Sequence, residues 1–235
     1  PRVADISIDR NNRVVVESAS GPEDTIVAQV IIGLVLILIL KRKQLVTVHG
    51  SAVSTGEKAI VLIGERGSGK STTAAALARC GHHMMCDDIV PIGSGQTENP
   101  GAIVLPGIPR PRLLEGAYRE LFGNSRKMHS LFDGLEKYQV PIETSIGSYP
   151  LQLVCILHAD PHCEELAHRQ LQGSAKIVGI MEHVSVLNGI ESKQEVFMHA
   201  LRVFQKTPVY EIRRPKGIST LDRVVRLIET FSQNA

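Results

Sequence analysis

The 235-residue chain contains no tryptophan, and aromatic residues make up only 4% of it. Proteins that hold single-stranded nucleic acid commonly stack its bases on aromatic side chains. The formal net charge is also small, at +2, whereas a nucleic-acid-binding domain usually carries a clear basic excess. The composition therefore argues against nucleic acid as a partner.

Cysteine is scarce as well. The chain has four, and their spacing includes no close pair of the kind that binds zinc: Cys80, Cys86, Cys155 and Cys163. We find no pattern of a secretory signal. Together these features predict reduced thiols and a cytoplasmic protein.

A run of about 20 apolar residues, the length that a membrane-spanning helix needs, is missing too. The most apolar stretch covers residues 26–40 and contains Gln29. Its basic residues, Lys41, Arg42 and Lys43, follow the run, which is the reverse of a signal peptide. We expect a buried helix whose last turn suits these cations, and no membrane span; a membrane anchor is the alternative.

What the chain does contain is an alternation of short β-branched runs and helix-like segments. "ADISIDRNNRVVVES" predicts a hairpin that turns at Asn11 and Asn12, and "QLVTVHGSAV" with "KAIVLIGE" predicts two more strands. "STTAAALARCG" is typical of a helix with a glycine stop. "LQLVCILHA" contains a continuous apolar run, as expected for a strand at the centre of a sheet. These patterns predict an α/β protein.

We interpret residues 1–235 as a single domain with three parts. Residues 1–45 supply the N-terminal strands and the apolar helix, and residues 46–92 supply the core. Residues 93–235 supply substrate-side loops and a C-terminal α/β part. "RRPK", which contains Arg213, Arg214 and Lys216, is predicted to be a solvated loop, with a substrate clamp as the alternative.

The segment "GERGSGKS" at residues 64–71 fits the phosphate-binding pattern G-x-x-x-x-G-K-[ST] and stands between a predicted strand and a predicted helix. Its glycines allow backbone N–H groups to surround phosphate oxygens at the positive end of a helix. Lys70 is expected to reach the β- and γ-phosphates and Ser71 to bind Mg²⁺. The residues expected to hold the nucleotide are Gly64, Gly67, Ser68, Gly69, Lys70, Ser71 and Thr72.

Asp87 and Asp88 follow the P-loop helix closely, in "HMMCDDIVPI". A crossover through one helix can return this strand parallel to and beside the P-loop strand, which brings its carboxyl end to the phosphate site. Neighbouring strand residues face opposite ways. One aspartate can therefore bind Mg²⁺ while the other accepts the proton of an attacking hydroxyl. We assign the metal to Asp87 and the base to Asp88, and the exchanged roles remain open.

These motifs together resemble the catalytic domain of the HPr kinase/phosphorylase family, whose core is similar to that of the ATP-dependent PEP carboxykinases. The resemblance rests on His49-Gly50, the P-loop, Gly81-His82 and the aspartate pair. It implies a mixed central sheet with flanking helices. It also implies ATP and Mg²⁺ as cofactors, and His49 and Lys70 as catalytic residues beside Asp87 and Asp88. Oligomeric assembly is a further implication.

The chain departs from the bifunctional members of that family because it lacks the glycine-rich segment that follows their aspartate pair. "PGIPRPRLLEG" stands there instead, with "LEKYQV" further on. This combination resembles the shorter stand-alone relatives that include the kinases of lasso-peptide precursors. Arg112 and Lys137 are then candidates for stabilising the phosphoryl group. The matching positions are Pro106, Gly107, Pro109, Arg112, Leu113 and Lys137.

The sequence thus favours an ATP-dependent serine kinase that acts on a peptide, with the C-terminal serine of a lasso-peptide precursor as the expected acceptor. One alternative is a kinase of the phosphocarrier HPr or of another protein. The other is a nucleotide-binding switch that transfers no phosphate, although a binder has no need of a second aspartate.

Overall fold

The computed structural model describes residues 4–18, 28, 31–95, 101–123, 129–130, 137–140, 142–187, 191–217 and 219–235. The chain divides into two compact units, residues 1–45 and residues 46–235. The interpretation of residues 1–235 as a single domain stays a prediction.

The N-terminal unit contains the expected hairpin. Strand β1 (Ala4–Ile8) pairs antiparallel with strand β2 (Val14–Ser18). The carboxylate of Asp9 accepts hydrogen bonds from the backbone N–H groups of Asn11 and Arg13, each at 2.8 Å. Asn12 takes the left-handed conformation, with φ of 63°, which asparagine tolerates better than most residues. The predicted turn at Asn11 and Asn12 is confirmed.

The apolar segment of this unit is helical, but it is not the buried helix that its composition predicts. A π-helical turn (Ile31–Val35) continues into helix α1 (Leu36–Arg42). Among the described residues of this segment only Val35 is buried, while Ile32 and Leu34 are 47% and 50% exposed. Residues 26, 27, 29 and 30 lie outside the described residues. Over the described part of the chain, we find no helix with the length and apolar composition needed to cross a membrane.

The larger unit alternates strands and helices. Its first part contains strands β3 (Val46–Thr55) and β4 (Lys58–Ile63), helix α2 (Lys70–Arg79), and strands β5 (His83–Ser94) and β6 (Ala102–Val104). Strand β7 (Arg112–Leu114), helix α3 (Glu115–Phe122), and strands β8 (His129–Ser130) and β9 (Lys137–Gln139) follow. The last part contains strands β10 (Tyr149–Asp160) and β11 (Ala167–Leu171), helices α4 (Gly173–Met181) and α5 (Lys193–Phe204), strand β12 (Val209–Pro215) and helix α6 (Leu221–Asn234).

Seven of these strands form a mixed sheet in the order β11-β12-β10-β4-β3-β5-β6. Strands β12, β10 and β4 are mutually parallel, and β3 is antiparallel to both β4 and β5. Strand β10 lies inside the sheet, as its continuous apolar run predicts. Strand β6 also pairs with the start of β10.

Both faces of the sheet are covered by helices. Helices α2, α3 and α6 enclose one apolar cluster, which includes Leu62, Leu77 and Tyr118. Helices α4 and α5 enclose the other, which includes Ile177 and Phe204. The fold is therefore α/β with a mixed central sheet and flanking helices, as predicted.

One expectation about the sheet is wrong. Strand β5 does not lie beside the P-loop strand β4, because β3 occupies the position between them and pairs with both. Since β3 is antiparallel to each, β4 and β5 still run in the same direction. The aspartates also precede the end of their strand, because β5 continues beyond them to Ser94.

Strand β10 should dominate the stability of the larger unit. Leu153 on this strand is fully buried and pairs with Ile60 of β4. We expect Leu153→Ala to lower the free energy of unfolding by about 2–5 kcal/mol, through lost apolar contact and the cavity left behind. Urea denaturation measures this free energy, and Val178→Ala, at an exposed position, is the control. Equal effects of the two substitutions would contradict the placement of β10.

Candidate active site

The glycine-rich segment forms a loop between a buried strand and a helix. Strand β4 ends at Ile63 and helix α2 begins at Lys70, so the loop covers residues 64–69. Gly64 and Gly69 have positive φ, at 146° and 96°. A Cβ atom at Gly64 would overlap the carbonyl of Leu157 on β10, and one at Gly69 would overlap the guanidinium of Arg214. Both positions therefore require glycine.

Lys70 lies at the first position of helix α2 and folds back over the loop. Its ammonium donates to the backbone carbonyls of Gly64 and Glu65, each at 2.9 Å, and the residue is only 8% exposed. The other predicted nucleotide-binding residues occupy the same turn. Gly67 has φ of 86°, Ser68 is buried, and Thr72 is half-buried on α2.

Asp87 is the buried member of the aspartate pair, at 7% exposed. Ser71 of helix α2 donates to its two carboxylate oxygens at 3.0 and 3.1 Å, and Ser51 of strand β3 donates to Oδ1 at 2.5 Å. The structure thus brings Ser71 and Asp87 together, as the metal assignment requires. Burial raises the pKa of the Asp87 carboxyl, and the hydrogen bond from Ser51 opposes that rise.

Ser71 and Asp87 suit a magnesium ion that is bound mainly by its nucleotide. Mg²⁺ prefers oxygen ligands and usually takes one or two from the protein, with phosphates and waters completing an octahedron. A hydroxyl and a carboxylate 3.0 Å apart meet that requirement. Within the described ranges, no group of three or more histidine, cysteine, aspartate or glutamate side chains could form a metal site by itself.

Asp88 faces a different environment, as expected for the neighbour of Asp87 on a strand. Its backbone is left-handed, with φ of 67°, and its half-exposed carboxylate forms an ion pair with the guanidinium of Arg112. Nδ1 of His49 lies 3.0 Å from the backbone oxygen of Asp88. The structure therefore gathers three predicted site residues, His49, Asp88 and Arg112, on strands β3, β5 and β7.

The "PGIP" segment runs along strand β5 and positions Arg112. Gly107 donates its N–H to the carbonyl of Met85 at 3.1 Å, and the carbonyl of Ile108 accepts the N–H of Asp87 at 2.9 Å. A Cβ atom at Gly107 would press on the side chain of Cys86, so the segment lies close against the strand. Lys137 pairs with Leu114 across the β7–β9 ladder, and its side chain lies outside the described residues.

Arg214 is a site residue that the sequence reasoning missed, because "RRPK" is not wholly a solvated loop. Arg214 is 5% exposed, and Nη2 donates to the backbone carbonyl of Ser68 in the P-loop at 3.0 Å. Nη1 donates to the carbonyls of Pro215 and Gly217. Burial lowers the pKa of the guanidinium. Arg213, the preceding residue, is exposed as predicted.

Ser51 and His183 are two further residues of the candidate site that the sequence analysis left out. Ser51 stands two positions after His49 on strand β3, and this spacing puts both on one face; it was the signal that could have identified Ser51. His183 lines the cleft that also contains His49 and Gly64. It follows helix α4 in sequence, and we find no local pattern that marks it.

Comparison with known proteins gives likenesses among solved structures alone. No protein-family model and no curated protein matches the chain. The solved structure of the Hpr(Ser) kinase/phosphatase from Coxiella burnetii is similar to 80% of this chain and to 94% of its own, with 17% sequence identity and a TM-score of 0.37. At that TM-score the likeness carries no weight for function, which rests on this chain's own residues.

The buried charge of Asp87 should reduce the stability of the folded protein. In Asp87→Asn a neutral amide still accepts from the serines at Oδ1, and we expect Tm at pH 7 to rise by roughly 2–4 °C, or about 1 kcal/mol. The raised pKa means that the folded state holds the proton of the Asp87 carboxyl more tightly than the unfolded state does. The contribution of Asp87 to the free energy of unfolding therefore falls as pH rises. The gain should therefore shrink at pH 4. Calorimetry measures Tm, and Asp88→Asn is the control. A Tm of Asp87→Asn at or below that of wild type at pH 7 would contradict the prediction that the buried charge lowers stability.

The bracing of the P-loop by Arg214 should be measurable through nucleotide binding. Arg214→Ala leaves the Ser68 carbonyl without this charged donor, and we expect affinity for Mg²⁺-ATP to fall at least about ten-fold. Arg213→Ala is a matched control, since Arg213 adjoins it and contacts Glu211 only at 3.9 Å. Isothermal titration gives both affinities. An equal loss in the two variants would show that Arg214 has no special role in the loop.

Proposed function

We propose that this chain is an ATP- and Mg²⁺-dependent kinase that phosphorylates a seryl hydroxyl of a peptide or small protein. The observation that carries the proposal is the difference in surroundings between the two carboxylates of the aspartate pair. Asp87 is buried against Ser71 of the P-loop helix, whereas Asp88 is half-exposed and contacts Arg112 and His49. A protein that only binds nucleotide has use for the first arrangement but not for the second.

The phosphates would be held by the loop and by Lys70. Backbone N–H groups at the start of helix α2 point along a positive helix end, which favours anions. The Lys70 ammonium is a cation at the same place, and it can exchange its two carbonyl acceptors for β- and γ-phosphate oxygens. Ser71 and Asp87 would hold Mg²⁺, which when bound neutralises charge on the β- and γ-phosphates.

Asp88 would act as the base. It accepts the proton of the acceptor hydroxyl as the seryl oxygen bonds to the γ-phosphorus, and the bond from that phosphorus to the β-γ bridging oxygen breaks to release ADP. Arg112 supplies positive charge beside the base, of the kind that stabilises a transferring phosphoryl group. The placement of Ser71 against Asp87 favours this assignment of the two roles over the exchanged one.

The acceptor we favour is the C-terminal serine of a lasso-peptide precursor. This rests on the sequence resemblance at residues 106–113 and Lys137. The segment at residues 107–108 hydrogen-bonds along β5 beside the aspartates, and Arg112 follows it. A peptide that docks on this segment would therefore reach Asp88. Lys137 is proposed as a further contact to the phosphoryl group.

Replacing the base should separate binding from transfer. We expect Asp88→Asn to abolish phosphate transfer while affinity for Mg²⁺-ATP stays within about two-fold of wild type, because the variant leaves Lys70, Ser71 and Asp87 in place. Intact-mass analysis of the acceptor measures transfer, and isothermal titration measures affinity. Wild-type turnover in Asp88→Asn would remove Asp88 from the role of base.

The same mass assay identifies the acceptor class when it is run on lasso-precursor peptides and on folded HPr. A gain of one phosphate on a peptide, lost in Asp88→Asn, is the expected result. A gain on HPr alone would exclude the peptide assignment and leave a protein kinase. Tight ATP binding without transfer to either acceptor class would favour the nucleotide-binding switch.

A further inference from the structure

The backbone that follows helix α4 extends the ladder of strand β3 at the place where the P-loop strand ends. Strand β4 pairs with β3 from Thr55 as far as Gly50. Beyond that point the N–H of His49 donates to the carbonyl of His183 at 2.8 Å, and the N–H of Ser185 donates to the carbonyl of Thr47 at 2.8 Å. The segment at residues 183–185 therefore lies directly beside the start of the P-loop.

His183 is the titratable side chain that this segment adds to the loop. It lines a cleft of about 740 Å³ together with His49, Gly64 and Glu65. The residue is only 9% exposed, and within the described part of the chain its Nε2 is buried without a hydrogen-bond partner. An unsatisfied buried polar atom is costly, so a bound group that accepts a hydrogen bond from Nε2 would remove that cost.

The position of Lys70 identifies which end of a bound nucleotide faces this cleft. Its ammonium contacts the carbonyls of Gly64 and Glu65, and both of these residues line the cleft. Since a P-loop lysine reaches the β- and γ-phosphates, the terminal phosphate lies at this end of the loop. The cleft is also lined by His49, whose Nδ1 contacts the backbone oxygen of Asp88.

The imidazole of His183 is suited to a phosphoryl oxygen. Burial, and next the charge of Lys70, lower the pKa of His183 to about 4. The ring is then neutral at pH 7, with one nitrogen that donates and one that accepts. A neutral donor beside a lysine can share a phosphate oxygen with it without the repulsion that a second cation would bring.

We propose that His183 donates a hydrogen bond from Nε2 to the γ-phosphoryl group of a bound nucleoside triphosphate, and so allows the site to distinguish ATP from ADP. This rests on the proposed function only in requiring that the P-loop binds ATP; it does not depend on the acceptor. A histidine that merely packs beside the loop would affect both nucleotides alike.

The test compares two nucleotides and three variants. Isothermal titration in the presence of Mg²⁺ measures the affinity of the full chain for AMP-PNP, a non-hydrolysable ATP analogue, and for ADP. The variants are His183→Phe, which has no donor, and His183→Gln, which keeps an amide donor. His162→Phe is the control, since His162 is exposed on the turn after strand β10.

We expect His183→Phe to weaken AMP-PNP binding about ten-fold and to leave ADP binding within about two-fold, because a hydrogen bond to a charged group is lost in one complex only. His183→Gln should recover part of the loss, and His162→Phe should change neither affinity. Unchanged AMP-PNP binding in both His183 variants would overturn the proposal. So would an equal loss for both nucleotides.

The outcomes also separate this proposal from the proposed function. If wild-type protein shows the expected discrimination and His183→Phe loses it, but no acceptor is phosphorylated, the kinase assignment fails and the role of His183 stands. If transfer occurs but the two nucleotides respond alike to His183→Phe, only the role of His183 fails. Wild-type protein that binds neither nucleotide would refute both.

Discussion

The hydrogen bonds that converge on Asp87 are the constraint on which the rest of the site depends. Ser51 on strand β3 and Ser71 on helix α2 donate to one buried carboxylate on strand β5. These contacts oppose the desolvation that otherwise disfavours its charge. They also fix the register of β5, in which Ser51 stands opposite Asp87. A slip of one residue would present Asp88 to the serines and turn Asp87 toward the opposite face.

The backbone of Asp88, the half-exposed member of the aspartate pair, is left-handed. A non-glycine residue with positive φ is uncommon, and strain of this kind costs on the order of 1–3 kcal/mol. It persists here among several contacts: Gly50 pairs with Asp88 across the ladder, His49 contacts its carbonyl, and Arg112 pairs with its carboxylate. Strained residues held in this way cluster at functional sites, and this one stands next to the buried carboxylate of Asp87.

The features that were predictable from the sequence are those that local pattern determines. The hairpin turn at Asn11 and Asn12, the strand–loop–helix around Lys70 and the interior position of β10 each follow from the residue types of one short segment. The order of strands does not, because the same runs suit a β5 that lies beside β4 and a β5 that lies beyond β3. The exposure of Ile32 and Leu34 could not be predicted for a related reason, because composition predicts a helix but not what packs against it.

Arg214 could not be predicted from its surroundings in sequence, yet its contact explains how the P-loop presents donors to phosphate. In a trans peptide unit the carbonyl and the following N–H point in opposite directions. Arg214 holds the Ser68 carbonyl on one side of the loop, so the N–H of Gly69 is directed to the other. Arg214 on the carbonyl side thus orients an amide donor on the opposite side, and this orientation is what an anion-binding loop requires.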